Sequence, residues 1–195
     1  MTRTWAADEL NGILEFLRRV EALKSTTRSA WTVAGTPETT AAHTWRLCLM
    51  AMVLASQFPG VEHGRLIKML LVHDLAEAVS GDVPAPAQVG APSKSDGERR
   101  DLQALVSTLP EGVRAEILEL WEEYEQAVTR EAHLAKALDK LETILQHTQG
   151  ANPADFDYEF NLAYGVKHTD RVPELQPMRE VLDAATRARA VRQSP

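Results

Sequence analysis

The chain has 195 residues, of which 21 are basic and 28 acidic, for a formal net charge of −7 at neutral pH. A chain of this length is expected to form one domain with a substantial core, and its acidic balance argues against a nucleic-acid or membrane partner, which calls for a basic footprint. The lone cysteine, Cys48, rules out an internal disulfide and points to the cytoplasm.

In chain order, the N-terminal MTRTWAADELNG reads as neither a signal peptide nor an anchor, and no apolar run is long enough to span a bilayer. Residues 7–22 put Leu10, Ile13, Leu14 and Leu17 on one helical face. Gly, Pro, Ser and Thr gather at 24–37, which predicts a loop. Segments 38–57 and 62–79 are strongly apolar and predict central helices, with Cys48 a small buried hydrophobe in LCLMAMVLA. A second loop is expected at 80–94, then a polar amphipathic helix at 95–108. Pro110 suits the first turn of the helix EGVRAEILELWEEYEQ, in which Trp121 and Tyr124 are expected to pack. Thr129 opens a helix over 129–149, but Ala132 three residues on leaves its capping box incomplete. Leu134, Leu138, Leu141 and Leu145 keep helical spacing there. After a loop at 149–153 come a short helix in 153–163 and a last one over 173–192, with RARAVRQSP expected to fray. Strand signals are poor, and there is no internal repeat.

The stretch LLVHDLAEAVSGDVPAP sets four polar groups, His73, Asp74, Glu77 and Asp82, at one end of an otherwise apolar helix. Two more polar residues stand in apolar surroundings: His43 opens HTWRLCLMAMVLA, and Asp139 interrupts LAKALDKLETIL. A lone buried carboxylate is costly unless it is paired or bound to a cation. Together His43, His73, Asp74 and Asp139 make a mixed nitrogen and oxygen donor set for one divalent ion. Mn, Co, Mg, Fe, Ni and Zn all accept such ligands. Taken singly, each residue has a plainer explanation. A His-Asp pair arises by chance, Asp139 could partner Arg46 or Lys140, and Glu77 could be a solvated helix residue. His63, His133, His147 and His168 sit in polar contexts or at helix ends and are assigned no function. The aromatic run DFDYEFNLAYG, 155–165, reads as core packing, with a cover over the site or a subunit partner as alternatives.

Three segments, PETTAAHTWR, HDLAEAVSGDVPAP and KALDKLE, resemble the HD-domain phosphohydrolases, and most of all their small 5′-deoxynucleotidase branch. The resemblance covers roughly residues 10–150 and extends to LKSTTRSAW and LPEGVRAEILELWEEYE. It implies an all-α, single-domain helical bundle over 1–195, with a motif core at about 37–142, a C-terminal helical extension at 153–192 and a central metal site. His43, His73, Asp74 and Asp139 would be the metal ligands. Glu77 would handle a proton or orient water, and Asp82 would face the substrate. Arg28 and Trp31 match positions near a nucleotide, and Lys140 is a further candidate to steady a phosphate. One departure is Ala42, where many relatives carry an acidic residue that could support the first histidine.

The activity implied is hydrolysis of nucleoside 5′-monophosphates, deoxynucleotides among them, by attack of a metal-activated water. The partner is then a small phosphate ester, and a homodimer is implied by the resemblance alone. The alternative is a non-catalytic, metal-containing nucleotide-binding or scaffold module on the same fold. Glu77 and Asp82 argue against it, since a structural metal needs neither.

Overall fold

A computed structural model of the chain describes residues 6–83 and 94–193. The order of elements is α1 (Ala7–Val20), β1 (Thr27–Trp31), β2 (Pro37–Thr39), α2 (Thr40–Val53), α3 (His63–Val72), α4 (Glu77–Ser80), α5 (Lys94–Leu105), α6 (Glu111–Gln126), α7 (Arg130–Gln149), α8 (Tyr158–Ala163), α9 (Val166–Thr169) and α10 (Gln176–Gln193). The fold is all-α with one small antiparallel ribbon. Among the described residues no helix is long and apolar enough to cross a membrane.

Helix α7 is the axis of the molecule and packs against α2, α3, α6, α9 and α10. Its leucine periodicity explains why. Leu134, Leu138 and Leu141, with Ile144, are fully buried against Leu47 of α2 and Leu66, Met69 and Leu70 of α3. Each such side chain contributes roughly 1.5–3 kcal/mol on burial. The Thr129 hydroxyl accepts the Ala132 N–H at 3.1 Å and so caps α7 without the second half of a capping box; such a cap contributes about 1 kcal/mol. At the other end Arg189 of α10 donates to the Thr148 carbonyl at 2.7 Å and the Gly150 carbonyl at 2.9 Å. A cation on the last carbonyls of a helix satisfies groups that have no partner within it. This contact joins α10 to the end of α7; α10 is helical through Gln193, and residues 194–195 of the segment expected to fray lie outside the described residues.

Several sequence expectations need correction. The 24–37 segment is not all loop, because Thr27–Trp31 pairs with Pro37–Thr39 around a turn at Gly35. That ribbon also delays the start of α2 to Thr40. Leu10, Leu14 and Leu17 stay exposed, while Ile13, Phe16 and Val20 turn α1 toward the core. Cys48 is half-buried rather than buried, and desolvation pushes its thiol up to about 11. Residues 84–93 of the expected 80–94 loop lie outside the described residues.

The correction with most consequence is the break in the 62–79 helix. The His73 Nδ1–H donates to the Leu70 carbonyl at 2.8 Å. After that point the backbone bonds shorten to three-residue steps, Leu75 to Val72 at 3.2 Å and Glu77 to Asp74 at 3.1 Å. The tightened turn separates α3 from α4 and carries His73, Asp74 and Glu77 to one cavity.

Candidate functional site

The cavity has a volume of about 870 Å³ and opens between the α3–α4 turn, β1, α7 and the segment from Pro153 to His168. At its floor three ligand-type atoms, from His43, His73 and Asp139, lie within 4.8 Å of one another, all on buried residues. Each comes from a different helical segment: α2, the α3–α4 turn and α7.

The tautomers are fixed from behind. The Glu142 carboxylate accepts from His43 Nδ1, and the Leu70 carbonyl accepts from His73 Nδ1. Both Nε2 atoms therefore point inward, and among the described residues both are buried without a hydrogen-bond partner; in the neutral imidazole each carries the lone pair that a cation takes. His43 Nε2 stands 3.3 Å from Asp139 Oδ1, and His73 Nε2 stands 3.0 Å from Asp74 Oδ2. Buried polar atoms are normally satisfied, so orphaned nitrogens facing carboxylates fit a site for a cation. Asp74 sits at the edge of the cluster, one-fifth exposed, and its Oδ2 also takes Arg28 at 3.3 Å.

Electrostatics separate the carboxylates. Burial works to raise Asp139, but Lys140, His43 and His73 outweigh it and hold the group well below the usual carboxylate range. Lys140 Nζ donates to Asp139 Oδ2 at 2.8 Å, and the Tyr124 hydroxyl donates to the same oxygen at 2.9 Å. Asp74 is likewise depressed against its own burial, by His73 and Arg28. Glu77 goes the other way. Burial, with Asp74 and Asp82 as like charges nearby, pushes it up to about 8. The Thr40 hydroxyl donates to one of its oxygens at 2.8 Å. For His43, burial and Arg28 oppose a charge, yet Glu142 and Asp139 lift the imidazole to about 9.

The other expected residues surround this floor. Asp82 lines the cavity just past Gly81, whose φ of 77° and ψ of 170° belong to a region open essentially to glycine alone. Arg28 on β1 reaches Asp74 and also donates to Thr143 Oγ1 at 3.2 Å. Trp31, at the end of β1, meets Phe156 edge-on with ring centroids 6.5 Å apart. Gly150 permits this placement, because a Cβ there would lie 2.1 Å from the Trp31 carbonyl oxygen. Lys140 is the partner of Asp139, one of the two cations that could have claimed it; Arg46 pairs instead with Glu142 at 2.6 Å.

Sequence reasoning missed three participants. Glu142 supplies the support for His43 that Ala42 lacks, and the signal was its spacing three residues after Asp139 on one helix face. Tyr124 does more than pack, since its hydroxyl is on Asp139. His147 lies at a helix end as expected, in the last turn of α7, but it is buried and lines the cavity. For the 155–165 run the alternative of a cover holds beside packing, since Phe156, Phe160 and Tyr164 line the cavity.

The HD-domain family model matches residues 20–179. The 5′-deoxynucleotidase HDDC2 of Mus musculus is 36% identical over 140 residues, which is 71% of this chain and 69% of that protein. The 5′-deoxynucleotidase HDDC2 of Homo sapiens is 34% identical over 148 residues, 75% of this chain and 72% of that protein. Among solved structures, the "predicted metal-dependent phosphohydrolase" of Magnetospirillum magnetotacticum MS-1 superposes with a TM-score of 0.68 at 29% identity, covering 95% of this chain and 94% of that one.

Proposed function

The chain belongs to the HD-domain family, and from that premise we propose that it is a metal-dependent phosphohydrolase releasing phosphate from nucleoside 5′-monophosphates, with deoxynucleotides the preferred class. The observation that carries this reading is the pair of buried, unpartnered Nε2 atoms of His43 and His73 facing carboxylates, beside a Glu77 whose carboxyl is raised to about 8. A scaffold module has no use for that second feature.

In this reading His43, His73, Asp74 and Asp139 would hold one divalent cation. When bound, such an ion supplies Lewis-acid polarisation of a phosphoryl oxygen and a lowered pKa for nearby water. The mixture of two imidazoles and two carboxylates suits Mn, Co, Fe, Ni or Zn, and Mg less well. Glu77 is anchored by Thr40 through one oxygen. The other oxygen would take the proton of an attacking water or return one to the departing sugar oxygen. Arg28 is held by Asp74 and Thr143, and its guanidinium can grip phosphate oxygens in a bidentate way. Lys140 adds positive charge beside Asp139. Asp82 is read as a substrate-facing acceptor for a sugar hydroxyl, and Trp31 as a wall beside the sugar.

The same reading takes the molecule as a single-domain cytoplasmic enzyme that forms a homodimer. The exposed apolar stripe Trp45, Leu49, Met52 and Val53 on α2 supports self-association. The test of the catalytic role is Glu77→Gln. Turnover of a deoxynucleoside 5′-monophosphate is expected to fall by roughly 10²–10⁴-fold, the range for general acid–base residues, at unchanged metal content. Undiminished turnover, or metal lost in step with activity, would remove Glu77 from that role.

A further inference from the structure

The short helices α8 and α9 are joined by Tyr164 and Gly165, and both residues line the cavity. Gly165 has φ 72° and ψ 0°, the left-handed conformation that glycine adopts at no steric cost. The turn lies directly on Lys140 of α7. A Cβ on Gly165 would stand 2.5 Å from the Lys140 Cβ and 2.7 Å from its Cγ, too near for either carbon to accept. Glycine is therefore required twice here, once for the turn and once for the stem of Lys140 to lie against it.

Helix α10 fixes the turn. Arg179 is 4% exposed, and all three of its guanidinium nitrogens are engaged. Nη1 donates to the Tyr164 carbonyl at 2.7 Å, Nη2 to the Asn161 and Leu162 carbonyls at 3.1 and 2.9 Å, and Nε to Asp183 at 2.8 Å. Carbonyls at the end of a helix have no partner within it, so this contact settles where α8 stops. Held by its backbone, Tyr164 sets its ring beside the Lys140 ammonium, with Nζ 5.3 Å from the ring centroid, within the range of a cation–π contact. The Tyr164 hydroxyl is a further hydrogen-bond partner of the ammonium. Nζ also donates to Asp139 Oδ2 at 2.8 Å.

An ammonium has three N–H donors. Asp139 takes one and Tyr164 another, which leaves one for a group in the cavity that Lys140 lines. The Lys140 side chain keeps 23% exposure, so a ligand can reach it. A lysine free to rotate loses that freedom when it binds an anion; one already held between two partners loses much less.

We infer that Tyr164 and Gly165 are positioning residues: their turn holds the Lys140 ammonium against Asp139 with one N–H left for a phosphate oxygen of the substrate. This rests on the proposed phosphate ester substrate and deepens it. The segment after the motif core thereby acts on the site through Lys140 and needs no contact with the reacting atoms.

The test combines two measurements on the metal-loaded protein: calorimetric binding of inorganic phosphate, and kcat and KM for 2-deoxyadenosine 5′-monophosphate. Tyr164→Leu, at a half-buried position, should weaken phosphate and raise KM by roughly three- to tenfold, the effect of a lost cation–π contact and hydrogen bond. kcat and metal content should stay close to the parent's. Tyr164→Phe, which retains the ring, should recover part of the loss, and Gly165→Ala should act in the same direction as Tyr164→Leu. Lys140→Met should weaken phosphate at least as much as Tyr164→Leu. Adding Tyr164→Leu to Lys140→Met should then change nothing further, because a residue that acts through another is not additive with it. The inference is overturned if folded Tyr164→Leu or Lys140→Met binds phosphate as the parent does. It is also overturned if Tyr164→Leu has its full effect on top of Lys140→Met, or loses metal in step with phosphate. A protein that shows the expected binding pattern yet releases no phosphate from the nucleotide would leave the positioning role standing and sink the hydrolase reading. An active parent whose KM is indifferent to Tyr164→Leu would do the reverse. A parent that neither binds phosphate nor turns over the nucleotide would sink both.

Discussion

At the scale of single residues, the site depends on which nitrogen of each histidine is bare. Glu142 sets this for His43, and Arg46 holds Glu142 in turn. Partners of this kind typically contribute roughly 10–100-fold to metal affinity. Glu142→Gln should therefore weaken cation binding by about 10-fold or more, measured by competition with a chromophoric chelator; affinity equal to the parent's would show that His43 needs no such support. Glu77 makes a different prediction, in the metal-free protein. Its folded value of about 8 lies above the ordinary 4.5. Between those values the folded chain holds a proton that the unfolded chain has released, so stability falls as pH rises across the window. Glu77→Gln should flatten the decline in Tm between about pH 5 and pH 8 relative to the parent; parallel curves would contradict the raised carboxyl. His43, His73 and Asp139, whose ligand-type atoms lie within 4.8 Å of one another, stand out in the sequence as polar residues in apolar surroundings. Glu142 lay in the same quoted segment and was overlooked because, in sequence, a glutamate beside lysines reads as a solvated residue. His147 was not legible at all: its burial comes from Phe156 and Asn161, and no local pattern announces that contact.

At the scale of elements, the working geometry comes from places where regular structure stops. The α3–α4 turn tightens after His73 and brings His73, Asp74 and Glu77 to one surface. Gly81 then ends α4 and releases Asp82 into the cavity. A Cβ at Gly81 would meet no atom of the described residues within 4 Å, so the cost of Gly81→Ala is argued from its backbone conformation. That cost is roughly 1–3 kcal/mol, readable as a shift in the urea midpoint, and turnover should drop with it as Asp82 is re-aimed. Full stability and full activity in this variant would show that the loop finds another path. The apolar spacing of α2, α3 and α7 made those helices visible in sequence, because burial on one face imposes its period. The break inside 62–79 was not visible, since it arises from one side chain bonding one carbonyl. The ribbon of β1 and β2 was hidden for a related reason. Strands of five and three residues carry too little alternation to register, and they pack mainly on each other, β1 also on α7 and β2 on α2.

At the scale of the whole molecule, one helix, α7, brings Asp139, Lys140 and His147 to the same cavity; in the proposed reading Asp139 would hold a cation and Lys140 would steady phosphate. The chain is acidic overall, at −7, and several cavity carboxylates add to that charge, so an anionic substrate needs a local positive centre to bind there. Arg28 and Lys140 are each already engaged by a carboxylate. A divalent cation held as proposed by His43, His73, Asp74 and Asp139 would complete the balance. The most direct measurement is phosphate release from deoxynucleoside 5′-monophosphates by protein stripped with a chelator and then titrated with Mn, Co, Ni, Zn or Mg. The account predicts no release from the stripped protein, with activity returning in proportion to bound cation up to one ion per chain. Equal release with and without bound cation, or none at any occupancy, would contradict it.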